Sequence, residues 1–284
     1  MAKSPDGSPP ANGRLVVKRH SLVVRTTHWV NVLCLLVLLL SGLQIFNAHS
    51  VLYFGETSDP ERAVLTIGVD KREDGSFVGV TEIAGTKFET TGFLGLSAGY
   101  DGEPERRAFP SWLTWPGYRD LATGRRWHFF FAWIFVLNGL AYVAHSFLTG
   151  HVRRDLAPSR KQLGEIGHSI WEHLRFRFPK GEEARHYNVL QKLAYLAIIL
   201  VVLPVTILAG LTMSPALNAA FPFLLDVFGG RQSARTIHFI GATAIVLFVA
   251  VHVFMVLVSG VWNNIRSMIT GRYVIEPAEQ SHDR

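Results

Sequence analysis

The sequence predicts an all-α membrane protein: a four-helix transmembrane bundle with a small extracytoplasmic β-containing insertion between helices one and two. Of its 284 residues, 49% are hydrophobic and only 18% are charged, whereas an ordinary soluble protein has about 25% charged residues. The charges are also unevenly placed, because four long stretches contain no Asp, Glu, Lys or Arg. These stretches are Thr26–Gly55, Trp127–Val152, Leu193–Leu225 and Thr236–Ile265.

Each charge-free stretch contains an apolar run close to the roughly 20 residues that a helix needs to cross a bilayer. The predicted spans are 27–47, 127–148, 190–211 and 236–260. Four buried helices of a soluble protein are the alternative, but such helices keep a polar face and these runs are apolar nearly all round. The first run follows a basic leader, as in a signal peptide, yet it is long, contains His28 and lacks an A-x-A-like cleavage site.

The distribution of basic residues predicts the orientation in the membrane. Segments 1–25, 153–192 and 266–284 contain 17 basic and 9 acidic residues, whereas 56–126 and 226–235 contain 11 basic and 13 acidic residues. Because Lys and Arg concentrate on the cytoplasmic side, we expect both termini in the cytoplasm. Topology thereby explains the net charge of +6, and we predict no binding to nucleic acid.

Outside the spans, the sequence predicts two tails and one substantial insertion. The tails are 1–14, which is flexible and rich in Pro, Gly and Ser, and 276–284, so the membrane domain covers 15–275. The insertion, 50–125, is expected outside the cytoplasm, and two β-rich runs around Asp74–Gly75 predict a hairpin within it. On the cytoplasmic side, Ser159 and Gln162 have the spacing of a capping box, and an amphipathic helix lying on the membrane is expected behind them.

Histidine is the residue type with the clearest functional pattern. The chain has 12 His and a single cysteine, Cys34, which excludes a disulfide framework, a CxxC zinc site, an iron–sulfur cluster and a CxxCH haem attachment. An ionisable residue at membrane depth indicates a function by default. Seven histidines lie in the charge-free stretches: His28, His49, His128, His145, His151, His238 and His252. Those at helix ends, His49 and His151, suit hydrogen bonding or an interfacial position instead.

His238 and His252 lie 14 residues apart on the fourth span. Their side chains therefore leave nearly the same helix face, about 21 Å apart along the axis. That spacing favours two cofactors stacked across the membrane over one zinc or di-iron site, which needs histidines three or four residues apart on facing helices. A neutral imidazole is a good axial ligand for haem iron, and a helix bundle can hold the macrocycle.

Each iron then needs a second ligand at the same depth. The helix directions place His28 near the level of His252 and His128 near the level of His238, which predicts the pairs His28/His252 and His128/His238. His145 also lies at the inner level, but it is rotated by about 100° from His128. The two cannot face one seam, so His145 is left out of the predicted ligand set.

Basic and small residues near these levels fit the same interpretation. Arg25, Arg126 and Arg235 lie at span ends, where they either donate to haem propionates or lie at the membrane interface. Gly42, Gly139 and Gly241 permit the close approach of a flat ring or, equally, of another helix.

Several segments resemble the di-haem b-type cytochrome subunits of bacterial formate dehydrogenases and nickel–iron hydrogenases, most of all the thiosulfate reductase cytochrome b branch. The resemblance covers most of the chain after residue 15, and the two histidines 14 residues apart are its most specific element. It is carried by RTTHW (Arg25–Trp29), SGLQIFNA (Ser41–Ala48), Gly124–Tyr142, Gly150–Pro158, Tyr187–Tyr195 and ARTIHFIGA (Ala234–Ala242).

The resemblance implies an electron-transfer subunit of the bacterial inner membrane, with the insertion 50–125 in the periplasm, rather than a complete enzyme. It implies two b-type haems with bis-histidine ligation by His28, His128, His238 and His252. It further implies membrane lipid and quinone or quinol as partners, together with a catalytic oxidoreductase subunit that is often a periplasmic molybdopterin enzyme. Two alternatives remain open: a self-contained haem oxidoreductase that reduces superoxide or ferric iron, and a haem-free transporter or anchor, which the absence of acidic residues in the spans disfavours.

Overall fold

The structure is a computed structural model that describes residues 15–150, 152, 157–159, 162, 164, 166–174 and 189–275. Its helices are, in chain order, α1 (Leu22–Phe46), α2 (Leu121–Leu148), α3 (Ile166–Leu174), α4 (Val189–Ala197), α5 (Leu203–Thr212), α6 (Pro215–Ala220), α7 (Phe223–Phe228), α8 (Arg231–Val258) and α9 (Val261–Thr270). Four candidate membrane spans are present: α1, α2, the helix Val189–Thr212 made of α4 and α5, and α8. The predicted, mainly helical membrane fold is confirmed.

Large apolar side chains project outwards from these four helices. Leu33 of α1 is 55% exposed, Leu137 of α2 is 63% exposed and Leu247 of α8 is 62% exposed. A helix of a soluble protein would turn such residues towards a core. The outward apolar surface is therefore the one that an integral membrane protein presents to lipid.

Two of the helices begin several residues before the predicted spans, because their N-terminal parts contain arginines. The spans were predicted to start at 127 and 236, but α2 begins at Leu121 and α8 at Arg231. The reason is that a charged residue ends a charge-free run without ending a helix. The fourth span stops at Val258, and Gly260, with a φ of 102°, separates it from α9, a short helix that the sequence analysis did not predict.

The third span is not a uniform α-helix. A π-helical turn over Ile198–Val202 joins α4 to α5, and Pro204 follows it within the first turn of α5. Proline supplies no N–H to the preceding turn, and π-turns in helices are a usual accompaniment of such interruptions. The interruption of the α-helix therefore lies directly before Pro204.

Small antiparallel sheets account for the strands. They are β1 (Leu15–Lys18), β2 (Val51–Leu52), β3 (Leu65–Lys71), β4 (Phe77–Ile83), β5 (Thr86–Glu89), β6 (Gly95–Ala98), β7 (Pro104–Arg107) and β8 (Arg272–Ile275). The segment between α1 and α2 holds the sheet β2-β3-β4-β5 and the ribbon β6-β7, while β1 pairs with β8. The hairpin predicted at Asp74–Gly75 is confirmed, since Lys71 of β3 faces Phe77 of β4 and Gly75 has a φ of 87°.

The described residues divide into two compact units. The first comprises the described residues within 1–29, 139–201 and 246–284, and it contains His28 and His252. The second comprises 30–138 and 202–245, and it contains His128 and His238. A small core of the second unit joins the end of α1 to the insertion and consists of Phe46, Leu52, Ile67 and Ala108.

The capping box predicted between spans two and three is present. The Ser159 N–H donates to Gln162 Oε1 over 3.1 Å, and the Gln162 N–H donates to Ser159 Oγ over 3.2 Å. The amphipathic helix expected behind it is described as α3, on which Ile170 and Trp171 are exposed. The two predicted tails, 1–14 and 276–284, lie outside the described residues.

Candidate functional site

The structure brings His128 of α2 close to His238 of α8. Their ring centroids are 6.2 Å apart, with the ring planes at 67°. A glycine packs against each ring: a Cβ built on Gly42 would lie 3.3 Å from Cε1 of His128, and one on Gly210 would lie 3.1 Å from Cε1 of His238. A larger residue at either position would have to displace an imidazole. These glycines therefore help to fix the position of the two rings, here called the α2–α8 pair (His128/His238).

Hydrogen bonds fix the orientation of both rings in the α2–α8 pair. Nδ1 of His238 lies 2.8 Å from the Thr206 carbonyl, which can only accept, so Nδ1 carries the proton. Nδ1 of His128 lies 3.1 Å from Ser41 Oγ, whose own hydroxyl donates to Val37 O over 2.6 Å. Both histidines are thus held with Nδ1–H as donor and Nε2 as the available lone pair, the tautomer that a metal-binding imidazole needs.

The structure also brings His28 of α1 close to His252 of α8. Their ring centroids are 6.4 Å apart, with the planes at 56°. Aromatic rings surround this α1–α8 pair (His28/His252): Phe248 stacks on His252 with centroids 6.0 Å apart, Tyr195 lies 6.4 Å from His252, and Trp29 lies 5.2 Å from His28. Nδ1 of His28 is buried without a hydrogen-bond partner in the described part of the chain.

Both separations fit two imidazoles that share one metal ion. Two rings bound to an ion from opposite sides have centroids about 6.2 Å apart, because each metal–nitrogen bond is about 2.0 Å and each ring radius adds about 1.1 Å. The observed values are 6.2 and 6.4 Å. No group of three or more His, Cys, Asp or Glu suited to a metal ion occurs among the described residues. Pairs of this kind suit haem, whose porphyrin supplies the remaining nitrogens.

The three arginines predicted as propionate partners have different surroundings. Arg235 donates to the carbonyls of Val51 and His49, and Arg25 donates to the carbonyl of Ile269. Nε of Arg25 is buried without a partner among the described residues, and Arg126 is exposed near the start of α2. Arg25 and Arg235 therefore hydrogen-bond to backbone carbonyls near the span ends, a role that the sequence did not predict.

The remaining histidines of the charge-free stretches do not join either pair. Nε2 of His145 lies 3.5 Å from Ser21 Oγ. His49 lies just beyond α1, where burial and the positive charge of Arg235 lower the pKa of its imidazole. His151 lies outside the described residues.

The three glycines that were predicted to permit the close approach of a ring or a helix have different neighbours. Gly42 faces His128, whereas Gly241 faces the side chain of Thr206, which is contact between helices, and a Cβ on Gly139 would meet nothing within 4 Å. Sequence reasoning missed Ser41, Thr206 and Gly210. Gly210 and Thr206 lie four residues apart on α5, and that spacing of two small residues on one helix face was the available signal.

Comparisons with known proteins identify the family of this chain. The sequence profile of prokaryotic cytochrome b561 matches residues 19–271, which is most of the chain. This protein belongs to the prokaryotic cytochrome b561 family. The match supports a membrane electron-transfer subunit of the haem-b type. The finer placement in the formate dehydrogenase and hydrogenase group is not part of that match.

A curated relative from Azospira oryzae carries the provisional name protein-methionine-sulfoxide reductase subunit YedZ1. It is 34% identical to this chain over 158 residues, which cover 55% of this chain and 76% of the relative. No solved structure matches the chain.

Proposed function

We propose that this cytochrome b561 family member holds two b-type haems, one at the α2–α8 pair and one at the α1–α8 pair, and passes electrons across the membrane. The observation that carries the proposal is the occurrence of two histidine pairs, at 6.2 and 6.4 Å, on helices that span a membrane. Haem supplies a one-electron iron couple when bound. The chain itself supplies the four imidazoles, His28, His128, His238 and His252.

Neighbouring groups orient the imidazoles of the α2–α8 pair for binding to iron. Ser41 and the Thr206 carbonyl hold both of them with Nε2 free, which removes the need to reorient the rings on binding. Gly42 and Gly210 leave room for the rings themselves. Arg25, Arg126 and Arg235 remain our candidates for the propionates, since arginine donates well to carboxylates.

The partner that we infer is a catalytic oxidoreductase, with quinone or quinol as the other redox substrate. The name of the Azospira relative, a subunit of a methionine-sulfoxide reductase, supports a reductase partner. The sequence resemblance supports a periplasmic enzyme of the molybdopterin type, and the basic bias of 1–25, 153–192 and 266–284 supports cytoplasmic termini in the inner membrane. Fusions of an alkaline phosphatase to each terminus should be inactive if this orientation is correct.

The decisive test of the proposal is a reduced-minus-oxidised optical spectrum of the purified chain with a measured haem-to-protein ratio. We expect two b haems per chain, and an absence of haem would exclude the function. His238→Ala and His252→Ala should each leave one haem, whereas the control His145→Ala should keep both. Retention of two haems by both single variants would overturn the ligand assignment.

The alternatives predict different results in the same preparation. A self-contained haem oxidoreductase would reduce superoxide or ferric iron at full rate without a second protein, while a haem-free anchor or transporter would be colourless. The electron-transfer subunit is favoured because the family match supports it.

A further inference from the structure

A charge-free segment of the insertion lies beside the first membrane span. The eleven residues 108–118, here called the aromatic loop, contain no charged side chain but include two tryptophans, a phenylalanine and a tyrosine. Arg107 precedes them and Arg119 follows them. The segment is too short to cross a bilayer and is not a strand or an α-helix, apart from one 3-10 turn at Ser111–Leu113. Its composition therefore requires another explanation.

Hydrogen bonds show that the aromatic loop runs down along α1 and back. It starts level with the end of α1, where the Phe109 N–H donates to Asn47 Oδ1 over 2.8 Å. It reaches Leu40, whose carbonyl accepts from the Trp115 N–H over 3.0 Å. It returns to the level of Gln44, whose Nε2 donates to the Tyr118 carbonyl over 2.9 Å. Leu40 lies six residues before the end of α1, which is about 9 Å along the axis.

That depth lies within the membrane-spanning part of α1. The helix has 25 residues, and a hydrocarbon core of about 30 Å takes up roughly 20 of them. When the core is centred on the helix, Leu40 falls inside it and Phe46 outside it. The lowest part of the aromatic loop therefore lies about 6 Å inside the hydrocarbon core, and the rest of the loop lies at the membrane interface, where tryptophan and tyrosine concentrate.

The aromatic side chains of the loop are exposed, as contact with lipid requires. Trp112 is 69% exposed, and Trp115 and Tyr118 are each 49% exposed. Trp112 also lies 6.1 Å from the ring of Phe93, itself half exposed, so the exposed aromatic surface is continuous. The backbone of the same loop is hydrogen-bonded to α1 at Leu40, a helix whose Leu33 and Leu36 are also exposed.

Several polar groups of the loop are paired with the Arg107 side chain. The Arg107 side chain is fully buried and donates to the Phe109 carbonyl over 2.6 Å, to the Gly117 carbonyl over 3.0 Å and to Thr114 Oγ1 over 2.9 Å. Pro110 and Pro116 have no N–H to satisfy. Irregular backbone is tolerated at membrane depth only when its polar groups are paired in this way.

We propose that the aromatic loop is a re-entrant segment that inserts Trp112 and Trp115 into the lipid of the leaflet on the side of the insertion. It anchors the insertion to the membrane surface beside α1. The occupant of this surface is the bilayer, because the loop lacks charge, reaches the depth of Leu40 and is hydrogen-bonded to a span with exposed apolar side chains. The proposal needs only the membrane location of the chain and is independent of the haem assignment.

Spin labelling of the full chain in phospholipid nanodiscs, without any partner protein, tests this. In a Cys34→Ala background, a nitroxide is attached to Trp112→Cys and, as the control, to Ser76→Cys at the exposed tip of the β3–β4 hairpin. The ratio of collisions with oxygen to collisions with an aqueous nickel complex should be several-fold higher at 112 than at 76. Equal ratios would overturn the proposal and leave the aromatic surface for a protein partner.

A second measurement avoids the label. Brominated phosphatidylcholine quenches tryptophan fluorescence only at short range within the bilayer. Trp112→Tyr should reduce the tryptophan emission intensity that brominated lipid removes, compared with the unsubstituted chain at equal protein concentration. An unchanged loss of intensity would contradict the insertion of Trp112, whatever the outcome of the haem measurements.

Discussion

The two histidine pairs have almost the same ring separation, 6.2 Å in the α2–α8 pair and 6.4 Å in the α1–α8 pair, but their surroundings differ. In the α2–α8 pair both Nδ1 atoms have hydrogen-bond partners, and glycines pack against both rings. In the α1–α8 pair Nδ1 of His28 has none among the described residues, and aromatic rings surround the imidazoles. The same ligand type is thus oriented by hydrogen bonds at one site and by ring packing at the other.

This difference has a consequence for redox chemistry. An imidazole that donates Nδ1–H to a carbonyl or hydroxyl oxygen is a more basic ligand, and a more basic ligand stabilises ferric over ferrous iron. We therefore expect the haem of the α2–α8 pair to have the lower reduction potential. A redox titration of the wild-type chain should resolve two potentials, and the His238→Ala variant should lose the lower one.

The largest expected effect comes from filling the space of a glycine in the α2–α8 pair. Gly210→Leu places side-chain atoms where the His238 ring stands, since even a Cβ would come within 3.1 Å of Cε1. We expect one haem per chain in place of two, with the residual spectrum of His238→Ala. The matched control is Gly139→Leu, because a Cβ there meets nothing within 4 Å. Loss of haem in the control, or two haems in Gly210→Leu, would contradict the role of Gly210.

A smaller effect is expected from Ser41→Ala. The change removes the oxygen that accepts from Nδ1 of His128 but leaves the ring in place. Loss of such a partner costs about 10- to 100-fold in metal affinity or activity, so the haem of the α2–α8 pair should dissociate faster and its potential should rise. The haem of the α1–α8 pair should be unaffected. Haem transfer to apomyoglobin measures both dissociation rates, and equal changes at the two haems would contradict the proposed asymmetry.

A third effect concerns the aromatic packing of the α1–α8 pair. Phe248 stacks on His252 with the rings 18° from parallel, and an aromatic contact of this kind contributes about 1 kcal/mol. Phe248→Leu should therefore retain two haems, with less than a tenfold loss of affinity at one of them. Its electron paramagnetic resonance signal should shift, because the His252 plane is freed. Phe130→Leu, at an exposed phenylalanine of α2, should leave both signals as they are.

The sequence predicts the spans and the histidine pairing because both depend on properties of single helices. Charge-free runs mark the spans, and the 14-residue spacing of His238 and His252 fixes which face they share. Gly210, Ser41 and the Thr206 carbonyl could not be predicted, because their contacts depend on how neighbouring helices are rotated. The descent of Trp115 to Leu40 was missed for a related reason, since a loop without periodicity gives no indication of its depth.

The smallest effect is expected at Asp120, which lies outside the membrane and caps α2, the helix that carries His128. Its Oδ1 accepts from the Thr123 N–H over 3.0 Å, and this hydrogen bond, with others from Thr123 and Ala122, lowers the pKa of the carboxyl group. A carboxyl whose pKa is lower in the folded chain stabilises it above the ordinary pKa of about 3.9. That contribution is lost as the pH falls through the folded value.

Asp120→Asn keeps a capping oxygen but removes the titration, so the difference in thermal stability between wild type and variant should shrink between pH 5 and pH 3. Loss of the Soret band on heating, recorded across that range, provides the measurement. The haem of the α2–α8 pair should respond before the other, because Asp120 belongs to the helix of His128. Asp59→Asn, at the cap of the short helix Pro60–Arg62 in the insertion, should not change the order in which the two haems are lost. A pH-independent difference for Asp120→Asn would show that the charge of this cap does not stabilise α2.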